Sequence, residues 1–410
     1  MALLLCVTPG RSSAQSKLAR LQEIKLPMPH FRGVWWSAEL QSRWLFSIQL
    51  TREHDLLVYA PNKNGEWPLV RVRRWWTKKP ESAVLNILGW SSADAKNLDD
   101  LDTRLLVTQD GRYALPFSIA RWRKSADAPA REPDTIVSVI DLEKWQVVGN
   151  LHTLHMGLGA LTGVRMLGSK VLVLSGRNGD SSNSNVRYVS VSLPALEPGE
   201  TCTTGLPSQI PDQLKGNNEG SQTSAAADCA GVLTAAGATS LAEMDDLTQA
   251  ERRPLPVSLA KNEQFLGGSH YESSPGGWYN LNSVRSELSM WSPDGRKERE
   301  RQSPSLLCEN QRVQGPSWVC DCSIAGVLEV QHVLLTHCIT KHDNFFGSQV
   351  WLRQWLSVFR SDDFSEVGVV PLSHRNEETK EVVTSVDGRA YVLAVSLGET
   401  LRIYEVPNRP

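Results

Sequence analysis

Apolar and polar positions alternate with a period of two along most of this chain, and the alternating runs come in hairpin-sized pairs. Leu56-Leu-Val-Tyr59, the turn Asn62-Lys-Asn-Gly65 and the return Pro68-Leu-Val-Arg-Val-Arg-Arg-Trp75 make one pair. Thr135-Ile-Val-Ser-Val-Ile140 and Trp145-Gln-Val-Val-Gly149, across Asp141-Leu-Glu-Lys144, make another. Val186–Val191, Glu287–Trp291 and Leu356–Phe359 with Val367–Pro371 repeat the shape, and Leu401–Val406 ends it without a return. Such alternation marks strands packed on at least one face. Each run is preceded by more apolar strands: Leu105–Thr108 with Tyr113–Phe117, Val171–Leu174, Val333–Thr336, and Val382–Thr384 with Ala390–Ala394. The pattern predicts an all-β chain built of four-stranded units.

Tight turns punctuate these runs. Thr108-Gln-Asp-Gly-Arg-Tyr113, Ser292-Pro-Asp-Gly-Arg296 and Ser385-Val-Asp-Gly-Arg-Ala-Tyr391 share one Asp-Gly signal. Asp can hydrogen-bond the turn backbone, and Gly tolerates the positive φ that a tight hairpin needs. Counted at the outer hairpins, units begin near Leu56, Thr135, Val186, Glu287, Leu356 and Leu401. Two of the intervals, 51 and 45 residues, match the roughly 40–50 residues of one propeller blade. The expectation is a single β-propeller over 20–410, with six or seven blades. Because Leu401–Val406 lacks an outer partner, an N-terminal strand such as Glu23-Ile-Lys-Leu26 is expected to lock the ring.

Thr108–Tyr113 followed by Thr135-Ile-Val-Ser-Val-Ile-Asp-Leu142 and Val147-Val-Gly149 resembles the blade signature of bacterial YVTN and WD-repeat-like β-propellers. In those families a "SPDGRYLYV" hairpin precedes a "VSVIDTATNKVV" hairpin. Ser385–Ala394 with Leu401–Tyr404 repeats the match, so the resemblance covers about two blades. The Trp-Asp dipeptide and Gly-His pair of true WD repeats are missing. The resemblance implies a propeller fold and no particular activity, since these families share none.

Composition narrows the setting. The 410 residues carry a net charge of −2, which gives no basic surface for nucleic acid. Trp is abundant, with 14 copies against 8 Phe and 7 Tyr. The N-terminus has an apolar run, Ala2–Val7, then Ser12-Ser-Ala14, which reads as a signal peptide remnant over 1–14. No segment approaches a membrane-spanning length. Removing Cys6 with that leader leaves Cys202, Cys229, Cys308, Cys320, Cys322 and Cys338. An even count suits disulfides in an oxidising compartment. Cys202 with Cys229 would staple a polar insertion over 201–250, whereas pairing among the other four is open. Cys320-Asp-Cys322 is too closely spaced for a zinc knuckle. These features predict a secreted or periplasmic monomer.

Candidate chemistry is sparse. His332, His337, His342 and Asp343 gather around one strand end and loop and are the candidate metal ligands, as imidazole suits zinc and copper. His152 and His155 have metal-like spacing for a helix, but on a strand residues three apart face opposite sides, so they are expected to be structural. Trp35-Trp36 and Trp75-Trp76 are paired aromatics whose outward members would form a binding patch. No nucleophile elbow, phosphate-binding loop or dinucleotide fingerprint occurs. The expectation is an interaction module for a protein or polysaccharide, with no cofactor predicted and a metal ion still open. The alternative is a lactonase- or quinoprotein-like propeller enzyme acting at the channel mouth.

Overall fold

The computed structural model describes residues 17–27, 46–60, 66–90, 98–122, 134–158, 160–167, 170–177, 186–204, 269–274, 276–282, 286–303, 306, 318–343, 349–372, 379–396 and 399–408. The probable leader, Trp35 and Trp36, Cys229 and Cys308 lie outside the described residues. So does the expected insertion beyond 204.

Six four-stranded antiparallel sheets account for the described strands. The first holds β2–β5 (Ser47–Leu50, Leu56–Tyr59, Trp67–Arg73, Glu81–Ile87) and the second β6–β9 (Leu98–Val107, Tyr113–Trp122, Asp134–Asp141, Gln146–His152). The third is β10–β13 (Ala160–Leu167, Val171–Arg177, Val186–Ser192, Glu197–Thr204) and the fourth β14–β17 (Ser269–Ser274, Gly277–Asn282, Glu287–Trp291, Lys297–Gln302). The fifth is β18–β21 (Trp318–Leu328, Val333–Asp343, Gln349–Arg360, Glu366–Pro371). The sixth combines β22–β24 (Thr379–Val386, Arg389–Ser396, Thr400–Val406) with β1 (Arg20–Lys25) in the order β1-β24-β23-β22. β1 runs antiparallel to β24, with Ile24 opposite Leu401 and Lys25 opposite Thr400.

Burial explains the sequence pattern. Middle strands are packed on both faces, so β3 and β8 are buried at every position. Outer strands keep one wet face, and β9 alternates while β17 is mostly exposed. The two faces of one strand serve two neighbours, as the twofold side-chain period requires. On β3, Leu57 and Tyr59 join Leu101, Leu105, Ile136 and Ile140 of the second sheet. Leu56 and Val58 instead join Leu393, Val395, Leu401 and Ile403 of the sixth. The same face-to-face packing links the second sheet to the third, the fifth to the sixth, and the fourth to the fifth. The first strands of neighbouring sheets also touch, β2 with β6 and β22, and β18 with β14 and β22. This is the layout of a propeller-like stack, in which each sheet's apolar faces are covered by its neighbours.

Three expectations shift. Leu56–Tyr59 and Pro68–Trp75 were expected to be an outer hairpin, but they hold the second and third strands, and Glu81–Ile87 is the outer strand. β4 stops at Arg73, so Trp75 and Trp76 sit in the following turn rather than on a strand. The Asp-Gly turns are also not equivalent. Thr108 and Ser292 each use a hydroxyl to bond the Asp two residues on, with Gly111 and Gly295 at positive φ. Val386 pairs directly with Arg389, so Asp387-Gly388 is a two-residue turn with both φ positive, 50° and 76°. A primed turn of that kind matches strand twist.

Candidate functional site

The candidate metal ligands lie along one strand and the turn before it. His332 is an exposed turn residue with φ 53°, between β18 and β19. His337 lies in mid-strand, and His342 and Asp343 end β19. A strand advances about 3.3 Å per residue, which spaces these histidines by about 16 Å each. Among the described residues no three His, Cys, Asp or Glu side chains form a metal-binding group. Trp75 is fully buried: its indole N–H donates to the His54 carbonyl at 2.6 Å, and its ring stands edge-on to Tyr391 at 5.4 Å. It thus seals the seam between the first and sixth sheets. Trp76 is half-buried against it.

His337 has a partner of another kind. Its Nδ1 lies 2.8 Å from Oε1 of Glu381 on β22, joining the fifth sheet to the sixth. Burial works against the charged imidazole, but the Glu381 carboxylate, helped by Gln354, outweighs it and raises the His337 pKa above the usual histidine value. Cys322 and Cys338 face each other across β18 and β19 and form a disulfide. Cys202 is disulfide-bonded as well.

Sequence reasoning missed the polar seam between the first two sheets. Arg71 follows Leu69 on the buried face of β4, where alternation calls for an apolar residue. Its Nε donates to Asp55 Oδ2 at 2.6 Å, and Nη1 donates to the Leu142 carbonyl at 2.6 Å in the β8–β9 turn. Both charged side chains are below 10% exposed, at 9% and 8%. The guanidinium also stacks over Trp145, 5.5 Å from the ring centre. A cleft of about 240 Å³ opens here, lined by Arg71, Arg73, Glu81, Ser82, Ala83, Glu143 and Trp145. The Trp145 indole N–H is buried and meets no acceptor among the described residues. The sequence signal was a charged residue, Arg71, interrupting an apolar face.

A second cluster stands where β9 gives way to a 3₁₀ turn, Thr153–Met156. Asp134 Oδ1 accepts from the backbone N–H of Thr135 at 2.7 Å and of Leu154 at 2.9 Å, which fixes the turn. Its other oxygen, Oδ2, is 3.1 Å from Nδ1 of His152. The His155 ring lies 5.5 Å from the His152 ring, and Trp90 stands edge-on to His152 at 6.0 Å. His152 and His155 do not take the opposite faces of one strand, because β9 ends at His152 and the 3₁₀ turn begins at Thr153.

No protein-family model matches the chain, and no curated protein matches it in sequence. Solved structures align along most of its length. A chain from the crystal structure of BBS1N in complex with ARL6DN, soaked with lead, aligns at a TM-score of 0.29 and 7% identity, over 97% of this chain and 99% of its own. AofleA from Arthrobotrys oligospora gives 0.30 and 11% over 91% and 89%. A mutant of Trypanosoma rangeli sialidase displaying trans-sialidase activity gives 0.35 and 9% over 96% and 58%. Scores and identities this low transfer no activity, and the propeller-like reading rests on the strand order and the shared cores between sheets.

Proposed function

We propose that this protein is an interaction module built on a closed ring of blades, and that it engages a protein or polysaccharide partner through the cleft between its first two sheets. The carrying observation is the Trp145 ring, stacked on the Arg71 guanidinium, in a cleft edged by Arg73, Glu81 and Glu143. The ring offers apolar contact, and the charged rim offers direction. About 240 Å³ is below the roughly 300–1,000 Å³ of a typical small-molecule pocket. It suits one side chain or one sugar ring of a longer ligand. Ring closure is supported by the five shared cores between successive sheets and by β1 completing the sixth sheet. The boundary between the third and fourth sheets falls across residues outside the described set. The Cys322–Cys338 disulfide supports an oxidising compartment. Among the described residues, no helix is long and apolar enough to cross a membrane. The Asp-Gly-Arg turns at 110–112 and 387–389 support the YVTN-like reading of the repeats.

The test is a glycan array and a peptide array probed with the full chain and with Arg73→Ala and Trp145→Phe. Trp145→Phe keeps a ring but removes the larger indole surface. Ligands retained by the parent and lost by both variants, with unchanged circular dichroism, support the cleft. Identical array profiles for all three proteins would overturn it.

A further inference from the structure

We infer that His152 and His155 form a binding site for a single divalent transition-metal ion of the zinc, copper and nickel group, held by two imidazoles and completed by water. Three observations carry this. The turn brings the pair together, because the strand ends at His152, which caps the 3₁₀ segment Thr153–Met156 that holds His155. The ring centres are 5.5 Å apart and tilted by 36°. Two imidazoles bound at about 2.0–2.1 Å to one tetrahedral ion place their centres about 5 Å apart, close to this separation.

The second observation is the carboxylate behind the pair. Asp134 engages Nδ1 of His152 at 3.1 Å, which leaves Nε2 as the ligand nitrogen. A carboxylate on the far nitrogen fixes the ring's tautomer and orientation and makes it a better donor. Asp134 is itself held by Thr135, Leu154 and Thr153, so this support is rigid. The third observation is access. His152 is one-third exposed and His155 is exposed, so an ion and its waters can reach both. The edge of Trp90 walls one side, and Trp90 is anchored through its N–H to the Ser118 carbonyl at 3.2 Å.

The experiment uses the untagged full chain. Zn²⁺ is titrated by calorimetry, and Cu²⁺ is titrated with tryptophan emission as a second readout, since a paramagnetic ion beside Trp90 quenches it. The expected result is one ion per chain, a binding step lost in both His152→Ala and His155→Ala, and a 10–100-fold weaker step in Asp134→Asn. His332→Ala, in an exposed turn on another sheet, should bind like the parent. His155→Ala alters only an exposed side chain and should leave circular dichroism and melting unchanged. Absence of a one-to-one step in the parent overturns the inference, as does a step of unchanged affinity in His155→Ala.

Discussion

Replacing Arg71 with Met keeps most of the side-chain stem and removes the charge that pins the first sheet to the second. The Asp55 carboxylate, 8% exposed at its side chain, would then lose its 2.6 Å donor, and the Leu142 carbonyl would lose its own. Breaking one half of a buried ion pair costs about 3–5 kcal/mol, because the remaining charge stays buried without compensation. Arg73 moderates this. Its Nε is already 3.4 Å from the same carboxylate oxygen, and its half-exposed side chain can swing inward. The expected loss is therefore at the lower end, about 3 kcal/mol. Urea unfolding followed by tryptophan emission measures it, and Asp55→Asn completes a double-mutant cycle. Removing both charges should cost less than removing Arg71 alone, since no orphaned carboxylate is left behind. A loss below about 1 kcal/mol, the range of an exposed pair, with additive behaviour in the cycle, would refute the role assigned to this seam.

Three further outcomes are expected. Since the His337 pKa lies above its usual value of 6.5 in the folded protein, the pair with Glu381 stabilises fully below that value and loses its contribution as pH rises through the raised pKa. Melting temperatures taken from about pH 5.5 to about pH 8.5 should fall more in the parent than in Glu381→Gln, and parallel curves would contradict the assignment. Gly388→Ala meets no atom within 4 Å, so only its φ of 76° opposes the change and the cost should be about 1 kcal/mol. Gly277→Ala places a Cβ 2.1 Å from the Trp291 carbonyl oxygen and should cost several-fold more by the same unfolding assay. Replacing Cys322 and Cys338 together by Ala opens a link spanning 16 residues and should destabilise by about 3 kcal/mol on a chain-entropy basis. An unchanged unfolding midpoint in that double variant would mean the bridge adds nothing.

Strand positions were legible because burial in this architecture is written directly into alternation. A third strand such as β8 is covered on both faces and buries even its polar Thr135 and Ser138, while β9 beside it alternates between wet and half-buried positions. Even the pairing of the first strand with the last followed from counting, since Leu401–Val406 had no sequence neighbour left to pair with. Assignment within the first sheet failed for the opposite reason. β2, Ser-Ile-Gln-Leu, has only two apolar residues and no buried position, so it does not stand out, and β3 reads as an outer-hairpin strand instead of the second. The site was far less legible. Arg71 and Asp55 are sixteen residues apart and meet only because two strands pair. His152 and His155 looked incompatible until the backbone changed from strand to turn between them. The His332–Asp343 group runs along β19 and the turn before it, where closeness in sequence does not by itself bring side chains to one point.

The pairing of β1 with β24 has a consequence for how the molecule comes into being. Glu23 and Arg402, 379 positions apart, belong to one sheet, so a chain leaving the ribosome carries β1 idle until β24 emerges. Strand contacts this distant are the slow kind, and until then Val392, Leu393 and their neighbours present a strand edge without its last partner. Synthesis that stops short of residue 400 therefore leaves β1 and β23 without their shared partner at once.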